Sequence, residues 1–294
     1  MAGRQQWMPG LCACALAALG ALVLGIGGSR AARPLTSSMR AVAAEVRRVP
    51  RVVRHFVRRG AAVPILMYHV IATPIPNARY PGLYVPAAEF AAQMRALAAA
   101  GFHAVTLDEM RAAWLGRDPL PRHPIVISFD NGYRTQYTQA FPILRRLGWV
   151  GDENIQLTGL PPSQGGLSTH EIRALVHAGW ELDTQGNSHA DLITLDAAQL
   201  RFQIDATRRV LQRLYGVPVD WFCYPSGRYN AAVVAEVKRA GFVGSTTVVP
   251  GWARMTDDPY RLPRLRVLGG TGAQALLAEV AAARSLPPPP SVYP

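Results

Sequence analysis

The stretch Ile125-Val126-Ile127-Ser128-Phe129-Asp130-Asn131-Gly132-Tyr133 decides the fold. It is a short apolar run that ends in a carboxylate, an amide and a glycine. Pro124 can open a strand, and Gly132 permits a sharp turn after it. The apolar run does not alternate, which predicts a strand buried on both faces, as in a parallel sheet. In such sheets the polar residues just past a strand's C-terminal end face the ligand. Asp130 and Asn131 stand at that end. Asp-Asn-Gly is also an ordinary turn sequence, so the rest of the chain has to choose between the two readings.

Outward from this strand, apolar runs and helical patterns alternate. Residues 63–68 read as a strand that ends at His69, followed by a Pro- and Gly-rich loop over 72–85. Pro86 opens a helix with Phe90, Met94, Leu97 and Ala98 on one face, closed by Gly101. A strand over 102–105 leads to Thr106, a cap for the next helix. After the 125–129 strand comes a helix carrying Phe141, Leu144 and Leu147, with a kink expected at Pro142. Strands are predicted over 154–157, 180–183, 219–224, 242–248 and 262–267. Ser168 with Glu171, and Asp196 with Gln199, have capping-box spacing and open two helices. Further helices are expected over 231–240 and 272–284, and a disordered polyproline-like end from 287.

This is a βα repeat of about seven units, and a distorted, nearly closed (β/α) barrel fits it best. No Gly-x-Gly-x-x-Gly follows the first strand and there is no P-loop, which disfavours a Rossmann sheet. No Gly-x-Ser-x-Gly elbow occurs, which disfavours an α/β-hydrolase.

Charge is unevenly spread. Residues 1–60 hold ten arginines against Glu45 alone, a net +9 of the +12 of the whole chain, leaving +3 for residues 61–294. The folded part therefore has no basic surplus of the kind that nucleic-acid binding needs. Residues 11–28 are apolar and uncharged, at the length boundary between a signal peptide and a membrane anchor. The expected organisation is a signal peptide or anchor over 1–32, a basic linker over 33–61, the barrel over 62–284 and a Pro-rich tail over 285–294. Cys12 and Cys14 fall in the apolar run, so Cys223 stands alone in the barrel and no internal disulfide is available to it. Export to the cell envelope is the expected localisation.

On a barrel, the residues just past the strand ends converge on one rim. Here these are His69, Asp130 and Asn131, then Asp183, Gln185 and His189, then Tyr224, Pro225, Ser226 and Gly227. A rim of His and carboxylate side chains suits hydrolysis, which needs a base for water and a group to stabilise the oxyanion.

The motifs VPILMYHVI, VISFDNGY, GWELDTQGNSHADL, FCYPSGRYN, AGF and RLPRLRV, in this order, resemble the polysaccharide deacetylases of the NodB-homology type, carbohydrate esterase family 4. The Met-Tyr-His strand is most similar to the poly-N-acetylglucosamine deacetylase branch. The resemblance covers about residues 62–270 and implies a distorted (β/α) barrel, removal of acetyl groups from a glycan, and a divalent metal, commonly zinc, held by one Asp and two His. It implies Asp130 as general base and His69 as general acid. It places the metal ligands at Asn131, Gln185 and His189, and the oxyanion-binding turn at Tyr224, Pro225, Ser226 and Gly227. Apart from the resemblance, Arg264 is a candidate to orient Asp130. Trp180, Trp221 and Trp252 read first as packing residues, and Trp252, in a loop after Gly251, is the candidate among them to stack on a sugar.

Two of the three ligand positions depart from that pattern. Asn131 offers a neutral carbonyl in place of a carboxylate, and Gln185 a neutral oxygen in place of an imidazole. Only His189 remains a strong zinc donor. Asp183, two residues before Gln185, shares its strand face and is expected as a substitute ligand. The expectation is a deacetylase-like hydrolase acting on an acetylated, N-acetylated envelope glycan. The alternative is a glycan-binding relative with a degenerate metal site. The partners expected are an acetylated polysaccharide and, through the N-terminal segment, a membrane.

Overall fold

A computed structural model describes residues 60–160 and 165–294. The apolar segment 11–28 and nearly all of the basic linker lie outside the described residues. Among the described residues no helix is long and apolar enough to cross a membrane.

The stretch 125–129 lies in β3 (Pro124–Asn131), buried along its whole length. β1 (Val63–Tyr68) is buried in the same way. Around them run β2 (His103–Ala104), β4 (Asp152–Ile155), β5 (Glu181–Thr184), β6 (Trp221–Cys223), β7 (Gly244–Thr246), β8 (Trp252–Ala253) and β9 (Leu265–Arg266). These form one sheet in the order β7-β6-β5-β4-β3-β1-β8, with β2 on β3 and β9 on β1. Every pairing is parallel except that of β8 with β1.

The two edges of this curled sheet meet through residues 262–266. The Leu262 N–H donates to the Ser245 carbonyl and the Thr247 N–H to the Leu262 carbonyl, both at 2.9 Å. Leu265 then pairs with Leu66 of β1. One short segment thus bonds to β7 on one side and β1 on the other. Because it changes partner along its length, it forms only a two-residue ladder where six residues of strand were expected.

Strand register sorts the side chains. Tyr68, Ile127 and Phe129 face outward into the main core with Phe90 and Trp180. Ile65 and Val126 face inward and join Leu107, Met110 and Trp221 in a smaller apolar cluster. Above that cluster the interior turns polar. Met67, Ser128 and Asp152 are consecutive partners across β1, β3 and β4, and Asp130, Asn154 and Asp183 are partners across β3, β4 and β5.

The predicted caps are present. Thr106 with Glu109, Ser168 with Glu171 and Asp196 with Gln199 each form a reciprocal capping box. The kink expected at Pro142 is a π turn, Gln136–Ala140, before the helix Phe141–Arg146. The C-terminal tail is docked, correcting the expectation of a disordered end. Tyr229 and Tyr293 exchange backbone hydrogen bonds at 3.0 Å, and the Tyr229 hydroxyl donates to the Pro290 carbonyl at 2.7 Å.

Gly244 tests the tightness of the closure. A Cβ there would lie 2.3 Å from Cζ3 of the buried Trp221 ring and 2.5 Å from the Pro259 carbonyl oxygen. Neither neighbour is a flexible chain end, so Gly244→Ala is expected to cost about 2 kcal/mol or more. A urea titration reads this as a lowered midpoint, and an unchanged midpoint contradicts the tight closure.

Candidate active site

The C-terminal ends of β1 and β3 meet under one cavity of about 680 Å³, whose wall includes His69, Asp130, Asn131, Gln185, His189 and Ser226. Gln136 fixes the two strand ends, its amide donating to the His69 carbonyl at 2.9 Å and the Asp130 carbonyl at 2.8 Å.

Asp130 lies at the floor, 1% exposed. Arg264, fully buried, binds it with both arms of the guanidinium, at 2.7 Å to Oδ1 and 2.9 Å to Oδ2. The same guanidinium donates to the Thr247 carbonyl, Ser128 Oγ and Cys223 Sγ. Asp130 Oδ1 also accepts from Asn154 at 3.0 Å, and the Cys223 thiol approaches Oδ2 at 3.5 Å. Burial alone would raise the Asp130 pKa, but the charge and hydrogen bonds of Arg264 outweigh it and hold the carboxyl below its ordinary value. Asp130 is therefore an anion at any working pH. Burial pushes the Cys223 thiol far up, so it stays protonated.

His69 Nε2 stands 4.0 Å from Asp130 Oδ2, too far for a direct hydrogen bond and suited to a bridging water. Burial drives the His69 pKa down to about 4, against the opposing pull of Asp130. His189 is lowered as well, by burial first, with Asp130 opposing. Both imidazoles are neutral near pH 7.

Three side chains on the cavity wall sit on left-handed backbone: Asn131 at φ 77°, His189 at φ 53° and Ser226 at φ 53°. Non-glycine residues hold this conformation at a cost, and such positions gather at functional sites. Ser226 and Gly227, at φ 73°, turn the Tyr224–Gly227 loop back on itself at the cavity wall. Tyr224 and Ser226 line the cavity, and Pro225 and Gly227 are buried behind them.

Two expected residues lie elsewhere. Asp183 shares a strand face with Gln185 but sits two residues deeper, roughly 6.6 Å along the strand. Its Oδ1 accepts the Trp221 N–H at 2.8 Å, and it does not line the cavity. Below the site it neighbours Asp152 and Glu181, and burial raises all three carboxyls well above their ordinary pKa. Trp252 pairs with Pro64 at the opposite end of β1, where its indole donates to the Val280 carbonyl and Arg284 covers its ring. It packs at the far end of β1, beside a second cavity, and does not line the cavity over Asp130.

The sequence reading missed Asn154 and gave Cys223 no role beside Asp130, because only strand register shows which residues of β4 and β6 face Asp130. It also missed Arg79, Tyr80, Tyr133, Gln156 and Arg266 on the cavity wall. Tyr133 and Arg266 were inside recognised motifs without a role. Arg79, Tyr80 and Gln156 sit in loops whose paths no pattern predicts.

The donors suit zinc poorly. Among the described residues no three His, Cys, Asp or Glu side chains are grouped to hold a metal ion. Asn131 Nδ2 donates to Gln156 Oε1 at 3.0 Å, tying that amide to its neighbour. Gln185 Oε1 is buried with no partner, on a residue of the cavity wall. One imidazole with two neutral amides lacks the charge and nitrogen donors a zinc site needs. Asn131→Asp combined with Gln185→His is expected to create tight one-to-one zinc binding that the parent lacks. Metal content after exhaustive dialysis measures it, and a parent that already retains one equivalent contradicts the reading.

Residues 117–245 match the family model described as polysaccharide deacetylase. YxkH of Bacillus subtilis (strain 168), which carries the polysaccharide deacetylase name, is 26% identical over 224 residues, 76% of this chain and 77% of that protein. A 49-residue stretch is 41% identical to the poly-beta-1,6-N-acetyl-D-glucosamine N-deacetylase of Escherichia coli (strain K12), covering 17% of this chain and 7% of that protein. The solved structure of the Streptococcus pyogenes deacetylase PplD, in complex with acetate, shares the fold with a TM-score of 0.69 at 23% identity, over 75% of this chain and 99% of that one. With the parallel barrel and its Asp130 floor, residues 117–245 carry the match to the polysaccharide deacetylase model, and the chain is similar to a polysaccharide deacetylase relative over 76% of its length.

Proposed function

We propose that this protein removes the acetyl group from an N-acetylated glycan, with Asp130 as base and His69 as acid. The observation that carries the reading is the Asp130–His69 pair at the floor of an open cavity, its 4.0 Å gap able to hold a water against both groups. Asp130 Oδ2 is the oxygen nearer His69 and has only the weak thiol contact besides Arg264. It takes the proton from the water as the water adds to the acetyl carbon. His69 then delivers a proton to the departing nitrogen, and Arg264 holds the carboxylate in place throughout. The relative that acts on poly-N-acetylglucosamine supports an N-acetyl substrate, and the acetate complex of PplD supports an acetyl-sized product. The apolar segment 11–28 supports export, with the domain secreted or held at the membrane in the cell envelope.

A second reading, a glycan-binding domain without turnover, is favoured by Asn131 and Gln185. Neutral amides at both positions leave a polar wall of the kind that hydrogen-bonds sugar hydroxyls and acetamido groups. The two readings part on one measurement, release of acetate from N-acetylglucosamine oligomers, which the first requires and the second forbids.

Two further outcomes follow from the catalytic reading. Asp130→Asn lowers kcat/KM by about 100-fold or more, the usual worth of a general base. His69 must be protonated to act as the acid, and its pKa near 4 means that the acid form gains as pH falls from 7 toward 4. kcat/KM should therefore rise toward acid and level off near pH 4, and His69→Gln should remove the slope. A profile that falls toward acid overturns His69 as the acid.

A further inference from the structure

The cavity wall carries positive charge that the chemistry above does not use. Arg79, from the loop after β1, and Arg266, at the end of β9, both line it. Among the described residues neither is in an ion pair with a carboxylate. Arg79 lies over the ring of Tyr80, 5.2 Å from its centroid. By contrast, Arg134 is paired with Glu171 and Arg228 with Asp191. The carboxylate on the wall, Asp130, is already balanced by Arg264. Two guanidiniums outside the Asp130–Arg264 pair thus face this one cavity.

We propose that the glycan taken by this cavity is acidic, and that Arg79 and Arg266 bind carboxylate or phosphate groups on sugars flanking the acetylated residue. The guanidinium is a planar fork matched to either group, and it stays charged at every working pH. Asp130 lies buried beneath and brings no free negative charge to the wall, so nothing there repels an anionic chain. The inference rests on the reading of the cavity as a glycan site, and it adds the class of glycan.

Calorimetric titration of the full chain carrying His69→Gln, which slows turnover, tests it. A hyaluronan tetrasaccharide, alternating N-acetylglucosamine with glucuronate, is compared with neutral tetra-N-acetylchitotetraose. Di-N-acetylchitobiose 6-phosphate is compared with di-N-acetylchitobiose, so that the two pairs separate carboxylate from phosphate recognition. At least one acidic ligand should bind about tenfold or more tighter than its neutral counterpart at low salt, and 0.5 M salt should largely erase the difference, about what one or two charge-assisted pairs supply. Arg79→Gln and Arg266→Gln should each reduce the acidic-to-neutral ratio, and together bring it near one. Equal affinities, no binding of any ligand, or a preference that survives both substitutions overturns the proposal. Acetate release is scored separately with the unaltered chain. An acidic preference without acetate release sinks the deacetylase reading alone, whereas acetate from tetra-N-acetylchitotetraose with no acidic preference sinks only this one.

Discussion

Arg264 in contact with Asp130 is the interaction on which both the barrel and its site depend. A fully buried guanidinium is tolerable only when its N–H groups are met by acceptors and its charge by an anion. Here Arg264 leaves the segment that joins the two sheet edges and crosses the interior. Its partners lie on β3, on β6 and just past β7. Removing one member of such a pair strands the other charge in the interior, at a cost of about 3–5 kcal/mol. The final short strand, too brief to hold itself by ladder bonds, is therefore fastened by its side chain.

The same clamp limits the chemistry. A carboxylate bound by both arms of an arginine and by Asn154 is a weakened base, because each donor stabilises the anion. The structure leaves Oδ2, the oxygen facing His69, as the less committed one. Below the site, burial first and then one another's charge raise Asp152, Glu181 and Asp183 well above their ordinary pKa. Of these inward-facing carboxyls Asp130 is the one with an arginine in contact, and its pKa is lowered where theirs are raised. One arginine thus sets Asp130 apart from the other acids of the interior.

Much of this fold is visible in the sequence. The apolar run before Asp130, the capping boxes and the βα alternation all follow from local patterns, and the structure contains them. His69, Asp130, Gln185 and His189 fall at strand ends or in the loops just beyond, which is why they could be assigned to one rim. The rest depends on information that no local pattern holds. Asp183 matched the correct face but the wrong depth, since alternation gives a side and not a height. Trp252 read as a loop residue because a two-residue antiparallel strand leaves no periodic trace. The left-handed backbone at Asn131, His189 and Ser226 is set by the turns around the cavity, and none of the three residue types announces it as glycine would.

The changed ligand positions and the retained Arg264 are consistent on electrostatic grounds. With carboxylates at both 130 and 131, one guanidinium would leave a net negative charge in a low-dielectric pocket, and a further cation would be needed to offset it. Asn131 removes that second anion, and Gln185 is neutral where an imidazole could gain a proton. What remains at the floor is one anion and one cation in bidentate contact, neutral as a pair. The amide at 131 is satisfied by Gln156, and the amide at 185 keeps a buried acceptor without a partner. Positive potential in the pocket then comes from Arg79 and Arg266 on the wall, a position from which it acts on whatever enters, while the floor stays neutral as a pair.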